Sequence, residues 1–291
     1  MIIVTGATGQ LGRAVAEQLL VRLPAAEIGV SVREPQKAGA LAERGVRVRH
    51  GDFGDAESLR HAFEGATQVL IVSSNSAGDG AVRQHQTAID AARAAGARRI
   101  LYTSHMGAGA ASAFPPMRDH AATEALLQAS GVAFTSLRNG FYADSGLMLM
   151  GPAAQKTGTP TGELVAPSDG PVSWTTHADL AEATALILAD EGRLGGVTPP
   201  LTGAEALDLA ALGALASALT GQPISRVLQS DDAYRSGMAS RGLPAAQVEM
   251  LLGLFVASRG GEFMAVDGTL ATLLGRPPVS MHEVLASRLT A

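Results

Sequence analysis

The chain has 291 residues, 46% of them apolar and only 4% aromatic, with a formal net charge of -5 and no cysteine. That length can bury a large aliphatic core, as one big domain or as a main domain with a lobe. The acidic balance and the lack of a basic run argue against a nucleic-acid surface, and without cysteine there is no disulfide, thiolate nucleophile or cysteine metal site.

No basic leader precedes "MIIVTG", and no apolar run approaches the ~18 residues of a spanning helix. The expectation is a soluble, cytoplasmic protein that meets no membrane. The run Ile2–Thr5 predicts a strand and residues 10–22 a helix, with "TGATGQLG" between them. Gly6, Gly9 and Gly12 therefore stand where a dinucleotide fingerprint must stand, after a strand and at a helix start. The first glycine permits the tight turn, the second lets a pyrophosphate approach the backbone, and the third allows close helix–strand packing. The helix N-terminus, with Thr8, Gln10 and Leu11 around it, offers amides and partial positive charge to phosphates.

The same alternation continues. Strands are predicted at Ile28–Arg33, Val46–His50, Gln68–Ser73, Arg99–Thr103 and Val132–Leu137, with helices near 35–43, 55–63, 80–95 and 117–130. Strands alternating with helices give a Rossmann-type, doubly wound parallel sheet. Past residue 150, "GPAAQKTGTPTGELVAPSDGPVSW" reads as loop with room for one short strand, and helices follow at 177–190, 205–220, 231–241, 244–258 and 281–289. The expected organisation is a nucleotide-binding domain over 1–150 and a smaller, mostly helical lobe over 151–291, packed on the first.

NAD-binding chains usually carry Asp or Glu at the end of the second strand to hold the ribose 2′-hydroxyl. Here that end is "VREPQK", with Arg33 and, four residues on, Lys37. A guanidinium holds a 2′-phosphate through paired hydrogen bonds, so NADPH is the expected cofactor; Glu34 is the contrary sign. "SSNSAG" follows the fourth strand at the sheet edge where ligands collect, which brings Ser73, Ser74 and Asn75 to the route from pyrophosphate to nicotinamide ribose. Capping is the other reading of these loop residues.

"VTGATGQLG", "VREPQKAGAL", "GDFGD", "YTS" and "SGVAFTSLRNGFY" together resemble the NmrA-like branch of the atypical short-chain dehydrogenases. Within it they are similar to bacterial type-2 NADPH:quinone oxidoreductases and triphenylmethane reductases. The likeness is strong over 1–145 and continues weakly through "HADLAEA" and "LTG". It implies that Asp52 and Phe53 meet the adenine and that Thr103 joins the cofactor set. Asp55 reads as a helix cap.

The superfamily's Tyr-x-x-x-Lys dyad is absent: the tyrosines are Tyr102, Tyr142 and Tyr234, the lysines Lys37 and Lys156, and none has that spacing. Several NmrA-like relatives carry Lys-x-x-x-Glu on the helix before the sixth strand; this chain has His120 and Glu124 there, one helical turn apart. The resemblance implies that His120 bonds the nicotinamide ribose or the acceptor, or donates a proton. A solvated His–Glu pair is the other reading. A quinone needs little acid help, because its hydroquinone anion takes a proton from solvent and orientation supplies much of the catalysis.

"RNGFY" offers Asn139 to an acceptor carbonyl, Tyr142 beside it, and Phe141 as a stacking surface. His105 is a candidate acceptor contact, and Trp174 either roofs the pocket or belongs to the core. Asp179 and Glu182 read as solvated or capping. The histidines show no metal spacing. Two functions stand: an NADPH-dependent reductase of a small, quinone-like acceptor, and a non-catalytic NADP(H) redox sensor. An epimerase or an isoflavone-reductase-like enzyme ranks behind both. A homodimer is the assembly kept open.

Overall fold

The computed structural model describes residues 1–154 and 162–289. Its strands and helices, in chain order, begin with β1 (Ile2–Thr5), α1 (Gln10–Leu20), β2 (Ile28–Val32), α2 (Gly39–Glu43), β3 (Arg47–His50) and α3 (Ala56–Phe63). β4 (Gln68–Ile71), α4 (Asp79–Ala94), β5 (Arg99–His105), α5 (Pro115–Ala129), β6 (Ala133–Asn139), β7 (Phe141–Tyr142) and α6 (Ala143–Met150) follow. Then come β8 (Gly162–Ala166), β9 (Trp174–Thr175), α7 (His177–Ala189), β10 (Gly196–Val197), α8 (Leu209–Thr220), β11 (Ile224–Leu228), α9 (Asp231–Ser240), α10 (Ala245–Arg259), α11 (Thr269–Leu274) and α12 (Met281–Leu289).

Two compact units interleave along the chain. The first takes Met1–Ala110, Pro116–Asn139 and His177–Pro199. It holds one parallel sheet of 7 strands in the order β10-β6-β5-β4-β1-β2-β3. The winding reverses between β1 and β4, so this is the doubly wound Rossmann topology, with its crevice outside the carboxyl ends of those strands. β1, β2, β4 and β5 are buried along their whole length, which explains their continuous apolar runs. On one face Ile3, Leu59, Phe63, Val69, Ile71, Ile89, Ile100, Tyr102 and Leu127 form a single core cluster.

The other face is closed by α1 and α7, which pack together. Residues 177–199 join this unit for a physical reason. α7 buries Leu180, Ala181, Ala183, Thr184, Ile187 and Leu188, far more than a one-sided helix would. Gln68 donates to the Leu188 carbonyl at 3.0 Å, and the buried Arg99 guanidinium donates to those of Ile187 (3.1 Å) and Leu194. Asp179 is itself fully buried, against the expectation of a solvated residue. The boundary expected at residue 150 is therefore not a single crossing.

Two strands end earlier than expected. β2 stops at Val32 and leaves Arg33 beyond the sheet, and β4 stops at Ile71. After Ile71 the ladder gives way because side chains take the next amides: Val72 donates to Thr5 Oγ1 (2.9 Å) and Ser73 to Thr103 Oγ1 (2.8 Å).

The second unit takes Ala111–Pro115, Gly140–Thr176 and Pro200–Ala291. It is mostly helical but not free of strands. β8 pairs β11 in parallel from Gly162↔Ile224 to Ala166↔Leu228, and β7 pairs β9 through Phe141↔Trp174. Asp169 and Arg226, both half-buried, pair at 2.9 Å beside the β8–β11 ribbon. The loop reading of 151–174 falls partly on residues 155–161, Lys156 included, which lie outside the described residues.

Candidate active site

The glycine turn is built as its spacing requires. Gly6 has φ +63, a left-handed conformation that costs other residues a Cβ clash. A Cβ on Gly12 would stand 2.5 Å from Gly6 O and 3.0 Å from Thr5 O, so only glycine allows α1 to start this close to β1. Gly9 differs: it has an ordinary extended conformation, it is exposed, and a Cβ would sit 3.3 Å from Gly6 O. Gly9 is the N-cap of α1 and offers no side chain to the first-turn amides. Thr8 and Gln10 are exposed beside it, whereas Leu11 and Gly12 are buried under the helix.

Arg33 and Lys37 are exposed past the end of β2. Lys37 Nζ donates to Glu34 Oε1 at 2.6 Å. The contrary acid is thus neutralised locally, and the Arg33 side chain has no ion-pair partner among the described residues. Its carbonyl accepts from His50 Nδ1 at 3.0 Å, which ties the end of β2 to that of β3. Asp52 Oδ1 accepts from the Gly54 amide at 2.7 Å, and Phe53 lies half-buried with its ring edge-on to His85. Asp55 caps α3 through the amides of Glu57 and Ser58.

Ser73 and Ser74 are half-buried and Asn75 exposed. The Thr103 hydroxyl is spent on Ser73, whose amide it accepts from and whose Oγ lies at 3.3 Å. Ser74 Oγ is buried and has no partner. Asn139 is fully buried, and neither its amide oxygen nor its amide nitrogen has a partner. Both lie past or at the carboxyl ends of their strands. An unpaired buried polar group costs about 1–3 kcal/mol, so these atoms mark places where the fold gives up stability.

His120 is half-buried on α5, and its Nδ1 lies 2.8 Å from the Tyr102 hydroxyl. Tyr102 is fully buried on β5. The His105 ring stacks on that of His120 at 6.2 Å, and His105 Nδ1 accepts from the Gly107 amide at 3.1 Å. Burial, which disfavours the charged ring, lowers the His120 pKa to about 4, against a partial pull upward from Glu124. His105 is pushed well down by burial and by the neighbouring His120. His120 is therefore neutral at pH 7 and can donate only from an uncharged ring N–H.

Glu124 does not pair with His120. It is buried and accepts from Ser104 Oγ (2.7 Å), Ser136 Oγ (3.0 Å), and Arg138 Nε (3.1 Å) and Nη2 (2.7 Å). Arg138 and the hydroxyls hold its carboxyl below the usual carboxylate range in spite of burial. Glu124 thus clamps α5 to β5 and β6, so neither a solvated His–Glu pair nor a catalytic one describes this helix. Tyr102 and Arg138 were missed as partners because they sit on strands, at sequence distances where no local spacing signals contact.

In the second unit, Phe141 and Tyr142 are half-buried. Phe141 stacks against Phe114 at 6.2 Å and meets Phe263 (5.1 Å) and Trp174 (5.6 Å) edge-on. Trp174 is 4% exposed, with its indole N–H donating to the Leu207 carbonyl at 2.9 Å. It is a core residue that backs Phe141 rather than a roof, and Phe114 and Phe263 complete an aromatic cluster the sequence did not suggest. Among the described residues no group of acidic or histidine side chains could hold a metal, and no helix is long and apolar enough to cross a membrane.

Residues 6–191 match the NAD(P)H-binding family. The chain is 37% identical over 283 residues to quinone oxidoreductase 2 of Escherichia coli, covering 97% of this chain and 96% of that protein. A solved NADPH-dependent quinone oxidoreductase from E. coli, in complex with NADPH, superposes with a TM-score of 0.89 at 34% identity over 99% of both chains. The Citrobacter triphenylmethane reductase, in complex with NADP(H), superposes at 0.88 with 31% identity, over 99% of this chain and 100% of that one.

Proposed function

We infer that this chain, which belongs to the NAD(P)H-binding family and within it to the NmrA-like atypical short-chain dehydrogenases, is an NADPH-dependent oxidoreductase that reduces a quinone or a similar flat electrophilic acceptor. The quinone oxidoreductases and the triphenylmethane reductase named above match nearly the whole chain, which disfavours the regulatory alternative. The observation that carries the reading to the residues is that two of the unsatisfied buried side chains, Asn139 and Ser74, lie at the carboxyl edge of a doubly wound sheet.

The donors present suit a dinucleotide phosphate. Gly6, Thr8, Gly9, Gln10, Leu11 and Gly12 form the pyrophosphate turn, Arg33 takes the 2′-phosphate with Lys37 adding charge, and Asp52 and Phe53 meet the adenine. Ser73, Ser74 and Asn75 line the way to the nicotinamide ribose, with Thr103 fixing Ser73. NADPH, when bound, supplies the hydride. The chain binds, orients and supplies a hydrogen bond. Tyr102, the more acidic partner of a neutral imidazole, donates to His120 Nδ1 and leaves the ring N–H on Nε2 for cofactor ribose or acceptor. Asn139 donates to an acceptor oxygen, and Tyr142, in the second unit, is a further acceptor contact. Phe141, backed by Trp174, offers a ring surface, and His105 supports His120. The second unit is the acceptor-binding lobe, the cytoplasm the site of action and a homodimer the assembly; light scattering checks the last.

Three variants test these roles. Arg33→Ala should weaken NADPH by about ten- to a hundredfold, or ~1.5–3 kcal/mol, and leave NADH nearly unchanged; equal weakening of both cofactors contradicts the 2′-phosphate role. Asn139→Leu, of similar shape, removes an unsatisfied amide. It should raise the melting temperature while lowering kcat/KM at least ~10-fold, the mark of a group kept for function at a cost in stability. A variant that is destabilised and fully active would refute the role. His120→Ala should lower kcat/KM by about ten- to a hundredfold. Because the ring titrates near pH 4, the wild-type profile should show no limb from His120 between about pH 5.5 and 9.

A further inference from the structure

The loop after β4 is held in an unusual way: its backbone amides are taken by side chains reaching in from other elements. Val72 N–H goes to Thr5 and Ser73 N–H to Thr103. Farther along, Gly78 N–H donates to Asp119 Oδ2 at 2.7 Å. The central pin is His85. Ser74 N–H donates to His85 Nε2 at 2.9 Å, and His85 Nδ1 lies 2.9 Å from Thr123 Oγ1. The Thr123 hydroxyl donates in turn to the Asp119 carbonyl at 2.8 Å.

The directions in this chain are fixed by its ends. A backbone N–H can only donate and a carbonyl can only accept. Nε2 must therefore accept, Nδ1 carries the only ring proton and gives it to Thr123, and Thr123 passes its own hydrogen to Asp119. One tautomer of neutral His85 satisfies every bond; a protonated ring would aim N–H at N–H. The site favours that neutral form, since His85 is 2% exposed and burial, with His120 nearby, lowers its pKa to about 4. The ring is also wedged between Phe53 and Tyr102, edge-on to both. No other described group holds the Ser74 amide. With that amide engaged, Ser74 presents a buried hydroxyl that has no partner in the protein.

We propose that His85 is a positioning residue of the cofactor site: through the relay Ser74 N–H, His85, Thr123 and Asp119 it sets the 73–75 loop so that the Ser74 hydroxyl meets NADPH. This rests on the assignment of that loop to the cofactor made above. His85 touches no reacting atom. It acts on binding, by sparing NADPH the ordering of the loop.

The test uses the full-length protein with His85→Leu, His85→Gln, Thr123→Val and Ser74→Ala, read by NADPH titration and by amide exchange at Ser74 without cofactor. His85→Leu should raise the NADPH dissociation constant about 5- to 20-fold and speed Ser74 exchange by a larger factor. His85→Gln, whose side-chain oxygen can accept near the Nε2 position, should recover most of both. Thr123→Val frees only the far end of the ring and should fall between. Should the leucine variant not fold, the order wild type, Gln, Val in both readouts carries the test, and its reversal or absence overturns the proposal. If Ser74→Ala weakens NADPH but His85→Leu does not, the His85 role is overturned alone. If neither changes NADPH affinity, the loop's assignment to the cofactor fails and the proposal with it.

Discussion

A Gly9→Val chain is expected to fold normally and to lose NADPH binding. Gly9 has φ -87 and ψ 170, which any residue adopts, and it lies exposed at the tip of the turn. The nearest atom to an added Cβ is Gly6 O at 3.3 Å, so the turn must give by only a few tenths of an ångström. The two γ-methyls of valine would instead fill the space that the pyrophosphate needs above the α1 amides. Losing that approach should raise the NADPH dissociation constant by at least ~100-fold, about 2.7 kcal/mol. Gly12→Ala is the contrasting variant: its Cβ would meet backbone at 2.5 Å, so it should fail in folding first. Circular dichroism beside a fluorescence titration separates the two. A folded Gly9→Val protein that binds NADPH like wild type would remove the fingerprint from the site.

Mild acid should destabilise this protein before its ordinary carboxylates are titrated. His85 and His120 are both held near pKa 4 by burial, against 6.5 for an exposed ring. Between those values the unfolded chain binds protons that the folded chain refuses, so stability falls as pH drops. It is complete above about pH 6.5 and is lost progressively from there toward 4. Each ring accounts for roughly 3 kcal/mol over that span. The pair accounts for less than twice this, since part of the His85 shift comes from His120. His105 moves in the same direction. Urea unfolding at pH 7, 6, 5 and 4.5 should show a steady decline, and His120→Asn should flatten it. Equal stability across the series would contradict the buried neutral rings.

The parts of this fold that were legible in the sequence are those with long, repeated patterns. Six strands of the main sheet could be placed because β-branched runs alternate with Ala/Leu-rich helices. The seventh, β10, is two residues long and begins at Gly196 with φ +70; nothing that short carries a period. β11, "ISRVL", was hidden because only its pairing with β8, far away in sequence, makes it a strand. The glycine turn could be read because each glycine answers a local steric demand. The histidine–tyrosine cluster could not, because it is assembled from β5, α4 and α5. One signal was present and unused: α4 buries Ala81, His85, Ala88, Ile89 and Ala92 along one stripe. A histidine on an apolar helical face has to find partners inside the protein. Trp174 shows the opposite case, where a lone aromatic left a pocket roof and a core position both open, and its burial with the indole bonded to the Leu207 carbonyl makes it core.

Steady-state oxidation of NADPH, followed at saturating cofactor across a panel of benzoquinones, naphthoquinones, dyes and enones, tests the central claim most directly. NADPH should be consumed on addition of at least one flat quinone, with kcat/KM for NADH lower by about ten- to a hundredfold. Tight binding of NADPH with no turnover of any acceptor would contradict it, and would return the chain to the class of redox sensors.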